Sequence, residues 1–242
     1  MERKISPDAK HAGLILNFSY GLHTRWNVLL KAPLIHNEVK PYNDPGGLTK
    51  GKKITKQGDL EVGLKFSLPS SSEWNSCFTA WQSLGTAERD DSLLLHTGYA
   101  DFNSRLYYEL HYAKSEKWTI GSTLGFNKRN KDNSDEVHAG LITSIQLAKR
   151  LFIDGRFDLM YSLENRSKKP IYYELGLYHN NARLLSASGT FRYQRENGMN
   201  IIAGYQLPIR GQYIFNAPLI NVGFTLKFNT ANKVESTDTS SN

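Results

Sequence analysis

Residues 59–68 read DLEVGLKFSL, and this stretch decides the fold class. Leucine, valine and phenylalanine occupy every second position from Leu60 to Leu68, with polar or small residues between them. Successive side chains of a β-strand point to opposite faces, so this order produces one apolar and one polar face. The stretch therefore predicts a β-strand between two different environments.

The same alternation recurs along the chain, and we find no segment with sustained helical periodicity. The predicted strands have roughly 8–13 residues, close to the length that crosses a bilayer at a tilt. Turn-forming residues separate them. We therefore predict an all-β fold, an antiparallel up-and-down transmembrane β-barrel of about 12 strands. The strands are predicted at 12–21, 25–35, 59–68, 74–84, 105–112, 117–128, 136–148, 151–162, 171–180, 185–194, 199–207 and 220–229.

The composition of the two faces favours a membrane barrel over a soluble one. Hydrophobic residues make up 39% of the chain, but aromatic residues reach 12%. In a transmembrane barrel every second residue of a strand faces a polar interior, so the average composition understates how apolar the lipid-facing half is. Trp26, Trp118, Tyr20 and Tyr193 lie near the ends of predicted strands, as in the aromatic girdles at membrane interfaces. These patterns predict a location in the bacterial outer membrane.

The distribution of charge and the cysteine content exclude several classes of protein and of site. The net charge is +7, but the basic residues sit in separate loops, which is unlike a nucleic-acid-binding surface. The single cysteine, Cys77, excludes an intrachain disulfide and a multi-cysteine zinc site. No phosphate loop or paired metal-ligand motif occurs, so we expect no cofactor and no metal.

The barrel is predicted to span residues 12–229. Residues 1–11 are interpreted as an N-terminal segment that is disordered or the remnant of a longer start, because no apolar signal-peptide core follows Met1. Residues 230–242 are polar and predict a disordered tail.

One inconsistency remains in the predicted topology. Long loops of outer-membrane barrels lie outside the cell. If 36–58 is such a loop, twelve alternating strands leave the C-terminus outside as well. Either a strand is missing, within 85–104 or before residue 12, or one strand has been split falsely.

The lumen-facing charges are the only concentrated chemistry. One interpretation is a mutually paired network that stiffens the barrel; the other is a constriction that selects solutes by charge. His138 falls on the same face. The candidate lumen-lining residues are Arg25, Lys31, Glu61, Lys65, Arg105, Glu109, His111, Asp154, Arg156, Asp158, Glu174, Arg192 and Lys227.

An enzyme is not expected. A lipid-modifying barrel needs a nucleophile beside a base on its outer wall. His179 falls on the apolar face of 171–180, whereas Ser186 and Ser188 fall on the polar face of their strand, so no pair assembles.

Several short motifs resemble a known family. They are Tyr20-Gly21-Leu22, the segment from Ala32 to Asn37, Gly58 to Phe66, His96 to Asp101, and Gly204 to Gly211. Together they resemble the outer-membrane "MetA-pathway of phenol degradation" family, over residues 12–229. The resemblance implies an outer-membrane transporter-like barrel.

We therefore predict a channel or transporter for small solutes, with hydrophobic or aromatic compounds implied by the family resemblance. The alternative is a non-conducting barrel with a structural or surface-binding role. Outer-membrane lipid and lipopolysaccharide are the expected partners, since loop 36–58 carries five lysines that would attract anionic headgroups. The solute is unknown, and nucleic acid is not expected.

Overall fold

In the computed structural model, the chain forms sixteen β-strands and no helix within the described residues. The structure describes residues 9–39, 42–44, 47–49, 52–71, 73–87, 89–90, 95–96, 102–115, 117–130, 133–165, 183–195, 199–212 and 219–225. The strands are β1 (Ala9–His23), β2 (Trp26–Val39), β3 (Tyr42–Asp44), β4 (Gly47–Thr49), β5 (Lys52–Gln57), β6 (Glu61–Ser67), β7 (Trp74–Ser83), β8 (Arg89–Asp90), β9 (Leu95–His96), β10 (Ser104–Ser115), β11 (Trp118–Lys128), β12 (Glu136–Ala148), β13 (Leu151–Ser162), β14 (Arg183–Gln194), β15 (Asn200–Gln212) and β16 (Leu219–Thr225).

Twelve of these strands form one antiparallel sheet, which confirms the predicted fold class. The order is β1-β2-β6-β7-β10-β11-β12-β13-β14-β15-β16, with β5 also paired to β2. Each strand therefore pairs with its neighbours along the chain, as in an up-and-down sheet. The remaining strands form two small hairpins, β3-β4 and β8-β9.

Strands β5 and β6 act as the two halves of one long strand beside β2. The first half pairs with Leu34–Val39 and the second with Trp26–Lys31. Between them, the Gly58 amide donates to the carbonyl oxygen of Pro33 at 2.8 Å. The buried carboxylate of Asp59 accepts a hydrogen bond from the Ala87 amide at 2.9 Å. The interruption thus ties this strand to the connection after β7.

Burial is inverted relative to a soluble protein. Among the described residues, thirteen polar or charged side chains are buried, but only three hydrophobic ones. Leu141 and Phe157, paired across β12 and β13, point outward and are more than half exposed. An apolar outer face with a polar inner face is the arrangement that a lipid-embedded barrel requires. The sequence-based assignment of the faces is therefore consistent with the structure.

Large aromatic side chains gather where the short turns lie. The rings of Trp26 and Phe66 are 4.5 Å apart between centroids, and those of Trp74 and Tyr112 are 4.8 Å apart. Trp118 contacts Tyr112 edge-on at 6.5 Å. All five belong to strand ends beside a short turn, which agrees with the predicted interfacial girdle.

The connections at one end of the sheet have two to six residues, and those at the other end have six to twenty. Short turns at 24–25, 68–73, 116–117, 149–150 and 195–199 define the short-turn end. Connections at 40–51, 84–103, 129–135, 163–182 and 213–218 define the long-connection end. Strand β16 runs towards the short-turn end. If the long connections are extracellular, the chain leaves β16 on the periplasmic side, and the inconsistency in the predicted topology disappears.

The placement predicted for strand 171–180 is the source of that inconsistency. We expected it between 151–162 and 185–194, but β13 and β14 pair directly over eleven residue pairs, so no strand lies between them. Residues 166–182 themselves lie outside the described part of the chain. In the connection 84–103, strands β8 and β9 pair only with each other, not with the large sheet.

The ends of the predicted barrel are only partly described. β1 begins at Ala9, three residues before the predicted start at residue 12. Residues 226–242, which include the predicted polar tail, lie outside the described part. No helix among the described residues has the length and apolar character to cross a membrane.

The outward face makes a prediction about stability. We expect Phe157→Arg to lower the free energy of unfolding by about 2–4 kcal/mol, because it places a charge near the middle of the lipid-facing wall. Thr190→Arg is the matched control, since Thr190 faces inward opposite Asp154. Urea titration in lipid vesicles, read by the gel shift between folded and heated protein, measures both. Equal losses for the two variants would contradict the assignment of the faces.

Candidate functional site

The inner face of the sheet is the candidate site. Ten of the predicted lumen residues lie on the inward face of the sheet, on β2, β6, β10, β13 and β14. The residues of this face are generally less exposed than those of the outward face. Arg25 instead lies exposed in the turn between β1 and β2. Glu174 and Lys227 lie outside the described residues. The inward ten are Lys31, Glu61, Lys65, Arg105, Glu109, His111, Asp154, Arg156, Asp158 and Arg192.

A first charge group is centred on Glu61. Its Oε2 atom lies 2.6 Å from Nη2 of Arg105 and 3.4 Å from Nζ of Lys31. All three side chains are less than one-third exposed. One carboxylate thus lies between two cations, which leaves this part of the wall positively charged.

A second group lies nearer the short-turn end. Oε2 of Glu109 is 3.4 Å from Nζ of Lys65 and 3.6 Å from Nε2 of His111. The buried thiol of Cys77 donates to the same oxygen at 3.2 Å. The only cysteine of the chain therefore belongs to the inner wall.

A third group joins β12, β13 and β14. Arg192 binds Asp154 through two hydrogen bonds, Nε to Oδ2 at 2.8 Å and Nη2 to Oδ1 at 3.0 Å. Ser144 donates to Asp154 at 2.5 Å. Two-point pairing fixes the guanidinium plane, which also lies 4.3 Å from the ring centre of Phe152. On β13, Nε of Arg156 contacts both carboxylate oxygens of Asp158.

All four described carboxylates among the candidates therefore have a basic partner. This geometry supports the interpretation as a paired network. It does not make the wall neutral, because five Lys or Arg side chains face four carboxylates. The cations are Lys31, Lys65, Arg105, Arg156 and Arg192, and the carboxylates are Glu61, Glu109, Asp154 and Asp158.

Sequence reasoning did not single out the lumen glycines, which face rings on neighbouring strands. A Cβ atom on Gly125 would lie 2.2 Å from Cδ1 of Tyr107, and one on Gly63 would lie 2.8 Å from the Trp81 ring. On Gly121 it would lie 2.5 Å from Nδ1 of His111. Each glycine lets a ring lie along the wall instead of projecting into the lumen. Glycines on the polar face were visible in the sequence, but only the strand register shows what they face.

A buried polar cluster closes part of the wall at the long-connection end. Arg129 and Glu136 are 0% and 1% exposed, with Nη1 and Oε1 2.6 Å apart. Asn127 donates to the second carboxylate oxygen of Glu136 at 2.8 Å, and Nε2 of His138 is 3.4 Å from it. Side chains rather than open water occupy this position. Arg129 was not singled out from the sequence, because its burial depends on tertiary packing.

Asp135 anchors the same connection from outside the strands. Burial alone would raise the pKa of its carboxyl, but hydrogen bonds from Lys128, Asn165 and the Arg129 amide outweigh burial and lower the pKa. Asp135 therefore stays ionised below the usual range of aspartate.

Groups that could hold a metal ion are absent from the described residues, where no three His, Cys, Asp or Glu side chains cluster. His179 lies outside the described part. Ser186 and Ser188 face inward, as predicted.

Comparisons with known proteins support the fold. No family model and no curated protein matches the sequence. The structure is similar to the NanC porin, with a TM-score of 0.59, 9% identity and coverage of 91% of this chain and 97% of that one. It is also similar to the KdgM porin, solved with disordered oligogalacturonate, with a TM-score of 0.54, 8% identity and coverage of 91% and 98%.

A third similar structure is the COG4313 outer membrane channel from Pseudomonas putida F1. Its TM-score is 0.62 at 13% identity, with coverage of 88% of this chain and 80% of that one. The fold is that of an outer-membrane β-barrel. The predicted fold class is thereby confirmed, and the predicted location in the outer membrane agrees with these neighbours.

The Gly125–Tyr107 contact makes a prediction about lumen width. We expect Gly125→Ala to reduce single-channel conductance, because the new methyl group would push the Tyr107 ring into the lumen. Adding Tyr107→Ala to the same chain should restore the conductance. Gly189→Ala is the control, since its added Cβ would meet no atom within 4 Å. Unchanged conductance in Gly125→Ala would show that the ring does not limit the passage.

Asp135 makes a prediction about pH. Asp135→Asn should lower the free energy of unfolding by about 1–3 kcal/mol at neutral pH, the scale of hydrogen bonds to a charged group. Because the folded pKa is lowered, the difference from wild type should persist above the unfolded pKa of ~3.9 and shrink as the pH falls through the folded value. Denaturant titrations between neutral and strongly acidic pH measure this. A difference that vanishes near pH 6 would contradict it.

Proposed function

We propose that this chain forms an outer-membrane channel for small solutes. The observation that carries the proposal is the inverted wall: charged and polar side chains face inward, and apolar ones face outward. A polar interior supplies water-like contacts along the axis of a barrel, which is what a polar solute needs to cross. The three similar structures are two porins and an outer membrane channel, which supports the same function here.

The size of the barrel is compatible with passage. Eight-stranded barrels are filled by side chains, whereas 16-stranded porins leave a wide aqueous channel. This sheet lies between them, with eleven strands side by side when β5 and β6 are counted as one. In such a lumen, the direction of a few rings decides the free cross-section, and the glycines beside Trp81, Tyr107 and His111 turn those rings towards the wall.

We further propose a preference for anions. Glu61 lies between Lys31 and Arg105, so this group keeps a positive charge after pairing. The other described inward carboxylates among the candidates each lie beside at least one basic side chain, and the resulting excess is small. We therefore expect a moderate anion preference, which salt would weaken by screening.

The prediction that the solutes are hydrophobic or aromatic rests on the family resemblance. Two inward rings fit it: Trp81 and Tyr107 lie on adjacent strands beside Arg105. Their faces could stack on a planar solute while the cation holds a carboxylate. The same surface would also suit the apolar face of a sugar ring, so blocking by an aromatic acid and by an acidic sugar should be compared.

A second candidate is the non-conducting barrel. It is favoured by the buried Arg129–Glu136 pair, which fills part of the wall at the long-connection end. Much of the predicted lysine-rich loop 36–58 is strand instead, since 36–39 belong to β2 and pair with β5 at 52–57. Residues 40 and 50, two of its five lysines, lie outside the described residues. We propose no enzymatic role, because the sequence predicts no nucleophile beside a base on the lipid-facing wall.

Conductance in planar bilayers tests the proposal. Refolded protein should give stable steps that grow with salt concentration, and reversal potentials in a salt gradient should show anion preference. Folded protein that inserts and never conducts would favour the non-conducting barrel. The gel shift between unheated and heated samples confirms folding in each preparation.

Replacing Glu61 by Gln sharpens the test of selectivity. The change removes the carboxylate between Lys31 and Arg105, so the anion preference should rise. Pairs of this strength are worth ~0.2–1 kcal/mol, which gives an increase of roughly 1.4- to fivefold in the anion-to-cation permeability ratio. Glu164→Gln is the control, because Glu164 pairs with Arg183 beyond the end of β13. A shift towards cations in Glu61→Gln would contradict the assignment.

A further inference from the structure

The outer wall contains an apolar groove, and nine of its twelve lining residues occupy outward positions; the other three, Gly63, Trp81 and Arg105, occupy inward positions of the same strands. The groove encloses about 590 Å³ beside β6, β7 and β10. This volume falls in the range of ligand-binding cavities, ~300–1,000 Å³. Outward side chains dominate its lining, among them Leu64, Ala80, Leu106 and Phe126.

The groove exists because one small residue lies between larger ones. Ala80 is directly paired with Leu64 on β6 and with Leu106 on β10. One row closer to the short-turn end, Phe78 and Tyr108 stack with their ring centroids 5.0 Å apart and form a floor. The methyl side chain of Ala80 thus leaves a depression that opens onto the lipid-facing surface.

A polar row lies above the groove, towards the long-connection end. Gln82, Ser104 and Lys128 are directly opposite one another on β7, β10 and β11, and all three line the groove. Ser104 donates to Gln82 at 2.6 Å. The ammonium group of Lys128 contacts Asp135 at 2.8 Å, but its side chain remains 51% exposed. One of its three N–H donors is used in that contact, so the others can reach an anion.

We propose that this groove binds an acylated, phosphate-bearing glycolipid of the outer leaflet, of the lipopolysaccharide type. One acyl chain lies over Ala80 between Leu64 and Leu106, and a headgroup phosphate lies beside Lys128. The inference rests on the proposed orientation in the outer membrane, with the long connections outside, but not on conduction.

Packing and headgroup charge are the physical arguments for a glycolipid of this type in the groove. Lipid tails are as apolar as leucine, so a chain gains little hydrophobic free energy on leaving the bilayer for the groove. Packing against the walls of the groove and the headgroup contact must then provide the specificity. A basic residue at the membrane surface attracts an anionic headgroup by about 1 kcal/mol. Because one N–H donor of Lys128 is used by Asp135, a phosphate binds through the remaining donors as a second anion at the same ammonium group.

Retention of lipid by the purified barrel tests the proposal. Folded wild-type protein in mild detergent is incubated with deep-rough lipopolysaccharide, separated from free lipid by gel filtration, and assayed for bound phosphate and acyl chains by mass spectrometry. We expect about one molecule per barrel, and less retention of phosphatidylethanolamine at the same concentration. Ala80→Phe should fill the groove, Lys128→Gln should remove the cation, and each should lower retention severalfold.

Two control variants separate this site from general lipid adhesion. Ala203→Phe adds the same ring to an outward alanine on β15, and Lys117→Gln removes an exposed lysine at the short-turn end. Both should retain lipopolysaccharide like wild type. Equal retention by all five proteins, or equal retention of both lipids by wild type, would overturn the proposal. Conductance is recorded on the same samples, so a barrel that binds the lipid without conducting would separate this inference from the channel function.

Discussion

The structure depends on one constraint: inside a bilayer, every backbone N–H and C=O group must find its partner within the protein. A sheet whose neighbours are also neighbours in the chain meets much of this demand with short turns, and nearly all the long strands here pair in that way. Within the described residues, the end strands β1 and β16 each pair on one side only. Outward side chains are then free to be apolar, because the surrounding lipid is apolar. The inner face follows opposite rules, which explains why buried polar side chains outnumber buried apolar ones in the described residues.

The inner wall combines two requirements that are usually separate. Charges that face a confined lumen need partners, and Glu61, Glu109, Asp154 and Asp158 each lie beside at least one cation. A lumen that passes solutes also needs free space. The glycines beside bulky inward rings provide it, since a ring can lie flat only where the neighbouring residue has no Cβ atom. Pairing and ring placement together determine the charge and width of the candidate passage.

The sequence predicted correctly the features that depend on the alternation of residues within a single strand. Alternation from Leu60 to Leu68 and from Arg105 to Tyr112 predicted inward positions for the charges in these two stretches, because the side-chain period of a strand is two, and the structure places them there. Arg25 was also predicted inward, but it lies exposed in a turn. The prediction was wrong about the position of 171–180, since alternation cannot show which strands pair; the direct β13–β14 register showed that. The buried Arg129–Glu136 pair was also missed, because neither the loop residue Arg129 nor Glu136 at the start of β12 carries a sign of burial in the sequence.

By itself, the sequence determined the fold class, the apolar and polar faces and the identity of most inward charges. Each of these follows from residue type and a period of two, which are local properties. Only the tertiary structure decided the strand order around β13 and β14, the pairing of Glu61 with both Lys31 and Arg105, and the contact between Tyr107 and Gly125. These depend on register between strands, and register is fixed by hydrogen bonds between segments that can be far apart in the chain.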